Sequence, residues 1–260
     1  MSYTSFDLSG KTVLVTGGNG GIGLGMGLAC AQAGADVAIW GTNADKNAAA
    51  LETLLAVGGK ATAYQVDVSD EAAVTAGIAS TLSEFGRIDS MFANAGVGGG
   101  ARSFLEMSTE EYRRVLSVNL DGVFFTLRET ARHMVERAKD GDTGGSLIGV
   151  ASLAAIEAAP RGQHYAATKG AVISMMKACA VEFARYGVRS NSILPGWIAT
   201  DMTAGAQAAP AFAEKVIPRV PARRWGEPED FGGIAVYLSS DASKYHSGDA
   251  FVIDGGYSIF

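Results

Sequence analysis

Two cysteines, three histidines and no basic run leave several functional classes with little to work with. Cys30 and Cys179 form no Cys-x-x-Cys and have no histidine nearby, so a disulfide scaffold or a cysteine-bound metal is not expected. They read as free thiols in a reducing compartment. No His/Cys/Asp grouping has metal-ligand spacing, and no catalytic metal is expected. Five consecutive Lys/Arg never occur and the net charge is −6, which argues against nucleic acid or an anionic membrane as partner. No apolar run reaches the ~18 residues that suggest a bilayer span. Residues 1–7 are polar and lack the basic and apolar stretches of a secretory leader, so the expected location is cytoplasmic.

What is abundant is glycine, 34 of 260 residues, beside 48% hydrophobic residues. That pairing suits tight strand–helix turns better than disorder. Short β-branched or apolar runs at 12–16, 36–40, 61–66, 88–93, 146–150, 189–194 and 250–253 read as strands. Helical patterns separate them at 21–33, 43–57, 70–85, 119–138, 165–186 and 227–240, with a further helix opened by Ser108. Ser69 is expected to cap the helix at 70–85. The alternation predicts an α/β fold: one doubly wound, Rossmann-type domain spanning 1–260, with a parallel sheet of about seven strands and helices on both faces. Residues 197–224 read as an irregular, mobile substrate loop.

Two local patterns carry chemistry. Thr16-Gly17-Gly18-Asn19-Gly20-Gly21-Ile22-Gly23 lies where the first strand turns into the first helix. Glycines there let a pyrophosphate approach the backbone, and the helix N-terminus supplies N–H donors and a positive dipole end. Gly17, Asn19, Gly21, Ile22 and Gly23 are therefore candidate dinucleotide contacts. The second pattern is Tyr165-x-x-x-Lys169, which on a helix stacks a phenol and an ammonium one turn apart. A tyrosine with an ordinary pKa is about one part in a thousand phenolate at pH 7, and lowering that pKa by about three units takes roughly 4 kcal/mol. A cation about 4 Å away supplies that much at an effective dielectric near 20. Such a pair would make a proton-transfer group that works near neutrality.

With these residues in place, the chain resembles the short-chain dehydrogenase/reductase family over nearly its whole length. Thr16-Gly17-x-x-x-Gly21-x-Gly23 is similar to that family's coenzyme motif, and Asp67-Val68 to its adenine-contacting pair. Asn94-Ala95-Gly96 matches its Asn-Asn-Ala-Gly motif apart from Ala93, which replaces the first asparagine. Asn119, Ser152, Tyr165 and Lys169 match its active-site residues. The segment Pro195-Gly196-x-x-x-Thr200, with Ile198 inside it, matches the stretch that closes on the nicotinamide. The resemblance implies hydride transfer between NAD or NADP and a secondary alcohol or ketone. It makes Tyr165 the proton donor or acceptor and Ser152 the group that orients the substrate oxygen. Lys169 would lower the tyrosine pKa and hold the nicotinamide ribose, and Asn119 would position a relay water. It also implies a homotetramer, with Ala166, Ala167, Gly170 and Ala171 allowing close helix packing between subunits.

Coenzyme choice stays open. The second strand ends in Gly41-Thr42-Asn43, with neither the acid that reads a ribose 2′-hydroxyl nor the arginine that takes a 2′-phosphate. Thr42 and Asn43 remain candidate contacts for either. Leu153, Ala159, Trp197 and Met202 are expected to line a substrate space of modest polarity. Glu157 and Arg161 read as solvated rim charges, and His164 as a helix-surface or packing histidine. A 3-oxoacyl carrier-protein reductase is the alternative within the same chemistry, with Arg113, Arg114, Arg128 and Arg132 as a docking patch for an acidic carrier. A dinucleotide-binding regulator without turnover is the alternative of another class. The intact Ser152, Tyr165, Lys169 and Asn119 argue against that last reading.

Overall fold

The computed structural model describes residues 4–260. Seven strands, β1 (Thr12–Thr16), β2 (Asp36–Gly41), β3 (Ala61–Gln65), β4 (Ser90–Ala93), β5 (Gly145–Val150), β6 (Val188–Pro195) and β7 (Ala250–Ile253), form one sheet. Their order is β3-β2-β1-β4-β5-β6-β7, and every pairing is parallel. Alternate side chains feed the two faces. Leu14, Ala38, Trp40, Met91 and Leu147 point to one side. Val13, Val15, Ile39, Phe92 and Ile148 point to the other.

Each face is covered by helices. On the first lie α3 (Glu71–Phe85), α5 (Gly122–Lys139) and α6 (Gln163–Glu182), contributing Val74, Ile78, Leu127, Met134, Val172 and Met176. On the second lie α1 (Gly21–Gln32), α2 (Ala44–Ala56) and α9 (Gly232–Ser239), contributing Met26, Cys30, Leu54, Ala235 and Leu238. Helix α1 packs very closely: a Cβ on Gly25 would lie 2.4 Å from the Pro228 carbonyl oxygen. Both sheet faces are thus sealed, and only the strand ends remain for ligand chemistry.

Some boundaries differ from expectation. Helix α3 is capped by Asp70, whose carboxylate accepts from the Ala72 and Ala73 N–H groups, not by Ser69. Asp67 has already captured Ser69, accepting from its N–H and, at 2.7 Å, from its hydroxyl. The helix expected from Asn119 begins as a π turn at Ser117–Asp121, fused to α4 (Thr109–Leu116) before it and to α5 after it. Residues 201–219, expected to be irregular, contain α7 (Ala204–Gln207), α8 (Pro210–Val216) and short 3₁₀ turns. These elements are too short to show a helical period in sequence.

Candidate active site

Strand order reverses between β1 and β4, and in such sheets the crevice beyond the carboxyl ends of the strands at that point receives ligands. Thr16 and Asn94 tie the two strand ends together there. The Thr16 hydroxyl accepts from the Asn94 and Ala95 N–H groups, each at 3.0 Å, and the Asn94 amide donates to the Thr16 and Gly17 carbonyls. The glycine turn rests on this frame. A Cβ on Gly17 would sit 2.9 Å from Ala95 Cα, and one on Gly23 2.3 Å from the Gly17 oxygen. Gly17 also adopts φ +62°, a conformation glycine takes freely.

The crevice is a cavity of about 610 Å³. Gly17, Asn19, Gly21, Ile22 and Gly23 form one end of its lining, and Asn94, Ala95 and Gly96 the floor beside them. Pro195, Gly196, Ile198 and Thr200 also line the cavity, Thr200 lying 3.1 Å from where a Gly21 Cβ would stand, as do Ser152, Tyr165 and Lys169. Leu153, Ala159, Trp197 and Met202 line it too. The residues fit a dinucleotide. The glycine turn presents bare backbone at the N-terminus of α1, and nothing lies within 4 Å of where a Gly20 Cβ would stand.

Ser152 lies two residues beyond β5 and caps the 3₁₀ turn Leu153–Ala155, and Tyr165 and Lys169 occupy successive turns of α6. The Ser152 hydroxyl accepts from the Ala154 N–H at 3.1 Å. The Tyr165 phenol is pushed above its ordinary pKa by burial, opposed by its hydrogen bond with Ser152. Burial pushes Lys169 down to about 8. Its ammonium donates to the Val150 carbonyl at 2.8 Å and lies 5.6 Å from the centre of the Tyr165 ring. The pair is therefore side by side, as the spacing predicts. The expected lowering of the phenol by Lys169 is not found, because the tyrosine's own burial decides the direction of its shift.

Asn119 does not line the cavity. It stands behind Gly96, where a Cβ would lie 3.3 Å from its Oδ1 and 3.5 Å from Lys169 Nζ. Its Oδ1 accepts from the Val97 N–H at 2.8 Å and its Nδ2 donates to the Val97 carbonyl at 2.9 Å. The π turn at Ser117–Asp121 carries this side chain, a backbone feature frequent at functional sites. Thr42, Asn43, Asp67 and Val68 also lie off the cavity lining. Asn43 caps α2, accepting from the Lys46 N–H at 2.9 Å. Asp67 is occupied by Ser69, and Val68 is core.

Two features escaped the sequence. Lys46 and Asp201 line the same crevice and pair across it at 2.5 Å. They are 155 residues apart, and no local pattern joins them. The second is a clamp beside the site. Arg114 donates to the Glu111 carboxylate and to the Gly98 carbonyl, and the Gly100 N–H donates to Glu111. The Arg114 hydrogen bond holds the Glu111 carboxyl at about 2. His164 Nε2 stands 3.5 Å from Glu111 Oε1, so the histidine joins the clamp that fixes the Gly98–Gly100 loop.

A glycine-cradled crevice lined by Ser152 and Tyr165 beside a buried lysine defines a dinucleotide-dependent oxidoreductase. The family profile described as "Enoyl-(Acyl carrier protein) reductase" matches residues 17–258. The chain is 36% identical to an L-rhamnose 1-dehydrogenase (NAD(P)(+)) of Azotobacter vinelandii, over 96% of this chain and 97% of that one. It is 37% identical to a gluconate 5-dehydrogenase of Gluconobacter oxydans, over 98% and 97%. A crystal structure of a gluconate 5-dehydrogenase from Burkholderia cenocepacia J2315, in complex with NADP and tartrate, superposes with a TM-score of 0.91 at 33% identity, covering 98% of each chain. The chain belongs to the short-chain dehydrogenase/reductase family. It is an NAD(P)-dependent oxidoreductase acting on a secondary alcohol or its ketone.

Proposed function

We propose that Ser152, Tyr165, Lys169 and Asn119 carry this reaction, and that the substrate is a polyhydroxylated alcohol or its ketone. The observation that carries the reading is that Ser152, Tyr165 and Lys169 line the same crevice as the glycine turn. Gly17 to Gly23 and the N-terminus of α1 would hold the dinucleotide, which supplies or accepts the hydride at the carbinol carbon. In the reducing direction Tyr165 Oη gives its proton to the carbonyl oxygen while the Ser152 hydroxyl donates to the same oxygen. Lys169, poised near 8, returns a proton to the phenolate. In the oxidising direction the same groups run in reverse. Asn119 holds Val97, and with it the loop beneath the lysine.

Tyr165→Phe should lower kcat by about 10²–10⁴-fold while coenzyme still binds. Steady-state turnover with fluorescence titration of NADH checks this, and an unchanged rate would remove Tyr165 from the chemistry.

Both coenzymes are proposed to serve. No carboxylate at the end of β2 repels a 2′-phosphate, and Lys46 lies on the crevice wall. Titration with NADH and with NADPH should give dissociation constants within about tenfold of each other, since neither the acid nor the arginine that usually discriminates is present. A larger gap would defeat dual use.

The working form is proposed to be a cytoplasmic homotetramer in which residues 197–224 move over the substrate. Among the described residues no helix is long and apolar enough to cross a membrane, and both cysteines are free. Helix α6 leaves a face of Ala167, Ser174, Ala178 and Val181 exposed, with open space around Gly170. Small side chains there would let a second α6 approach closely.

A further inference from the structure

We propose that Arg161 and Glu157 form the substrate-reading pair of this site. In this assignment they select a polyhydroxy acid, its carboxylate on Arg161 and its hydroxyls donating to Glu157. The inference rests on the dehydrogenase reading above and deepens it. Both residues lie on the segment between Ser152 and Tyr165, and both line the cavity that holds those hydroxyls.

The other cations on that lining are already engaged. Lys46 pairs with Asp201, and Lys169 is buried against the Val150 carbonyl. Among the described residues the Arg161 guanidinium and the Glu157 carboxylate make no hydrogen bond or ion pair, with each other or with any neighbour. A guanidinium presents a planar fork matched to a carboxylate, and a carboxylate accepts hydroxyl protons only.

The backbone marks Arg161 too, one of two described non-glycine residues with positive φ, the other being Arg223. Arg161 has φ +70°, a left-handed conformation uncommon for a side chain of this size. Gly162, which would adopt that region freely, instead has φ −115°. The turn thus sets its unusual conformation on the arginine and not on the adjacent glycine. Such a placement is expected where a side chain is held for a ligand. The neighbouring lining, Gly98, Gly99, Leu153, Ala154 and Ala159, offers no side-chain charge. Charge recognition therefore falls to these two residues. A neutral polyol would engage Glu157 and leave Arg161 idle.

The test compares D-gluconate with D-glucitol, an acid and a neutral polyol of equal chain length. In Arg161→Gln, the ratio of kcat/KM for gluconate to that for glucitol should fall by about tenfold to a hundredfold, the loss carried by KM. Arg161→Lys should restore part of it. Glu157→Gln should raise KM for both substrates and leave the ratio alone. Arg161→Gly relieves the left-handed backbone, so it should lose acid preference without lowering the melting temperature.

A wild-type enzyme that does not prefer gluconate, a ratio unmoved by Arg161→Gln in protein that still quenches NADPH fluorescence, or a glycine variant that melts several degrees lower would each overturn the assignment. Turnover of glucitol lost in Tyr165→Phe, without preference for the acid, defeats this pair alone. Absence of any Tyr165-dependent turnover of secondary alcohols defeats the dehydrogenase reading instead.

Discussion

At Lys169 the fold does something costly: it buries an ammonium with one carbonyl as its partner. The lysine is depressed from 10.5 to about 8 by burial. A base with a depressed folded pKa binds fewer protons folded than unfolded between pH 8 and 10.5, so stability rises with pH across that window. Lys169→Met removes the effect. The unfolding free energy of wild type relative to this variant should therefore increase by about 3 kcal/mol from pH 7 to pH 10.5. Urea midpoints for both proteins at pH 7, 9 and 10.5 would show it. Equal pH slopes would mean the lysine is not desolvated. The adjacency of Tyr165 and Lys169 was legible in sequence because helical periodicity alone dictates it. Their ligand-free pKa directions were not, since these depend on how deeply α6 sinks against the sheet, and four-residue spacing carries no depth.

The glycine turn and α1 act as one element. Gly23 faces the Gly17 carbonyl so closely that a methyl has nowhere to go, because the obstacle is backbone. Gly23→Ala should destabilise the protein by about 1–3 kcal/mol by overpacking and weaken coenzyme binding along with it. Thermal unfolding with and without NADPH separates the two effects, and binding retained at wild-type strength would show that the turn yields. Strand positions and this turn could be read from the chain because β-branched runs and glycine clusters are local signals. The Asp70 cap, the π turn around Asn119 and helices α7 and α8 could not. Each is decided by competition between neighbouring hydrogen bonds or by elements shorter than one clear period. Asn119 itself was found through its motif, yet its bonds to Val97 required the loop to be folded.

For the whole molecule, the proposed homotetramer makes the exposed face of α6 the surface to test. Val181 is 82% exposed on α6, beyond the small residues around Gly170. Val181→Glu would put a carboxylate on that face, where burial without a partner is costly. The assembly should shift to smaller species by light scattering while the far-ultraviolet dichroism stays the same. An unaltered mass would place the subunit contacts elsewhere. The parallel sheet and its layers were legible because strand and helix patterns alternate along the entire chain. Pairings between distant surfaces were invisible, and Lys46 with Asp201 is the clearest example.

That ion pair bridges two walls of one groove, with side chains 55% and 89% exposed. Water competes for both ends, so little holds the bridge shut. An arriving dinucleotide, itself an anion, offers the lysine a replacement partner and frees the aspartate. Exchanging the aspartate for a coenzyme phosphate would therefore cost the lysine little.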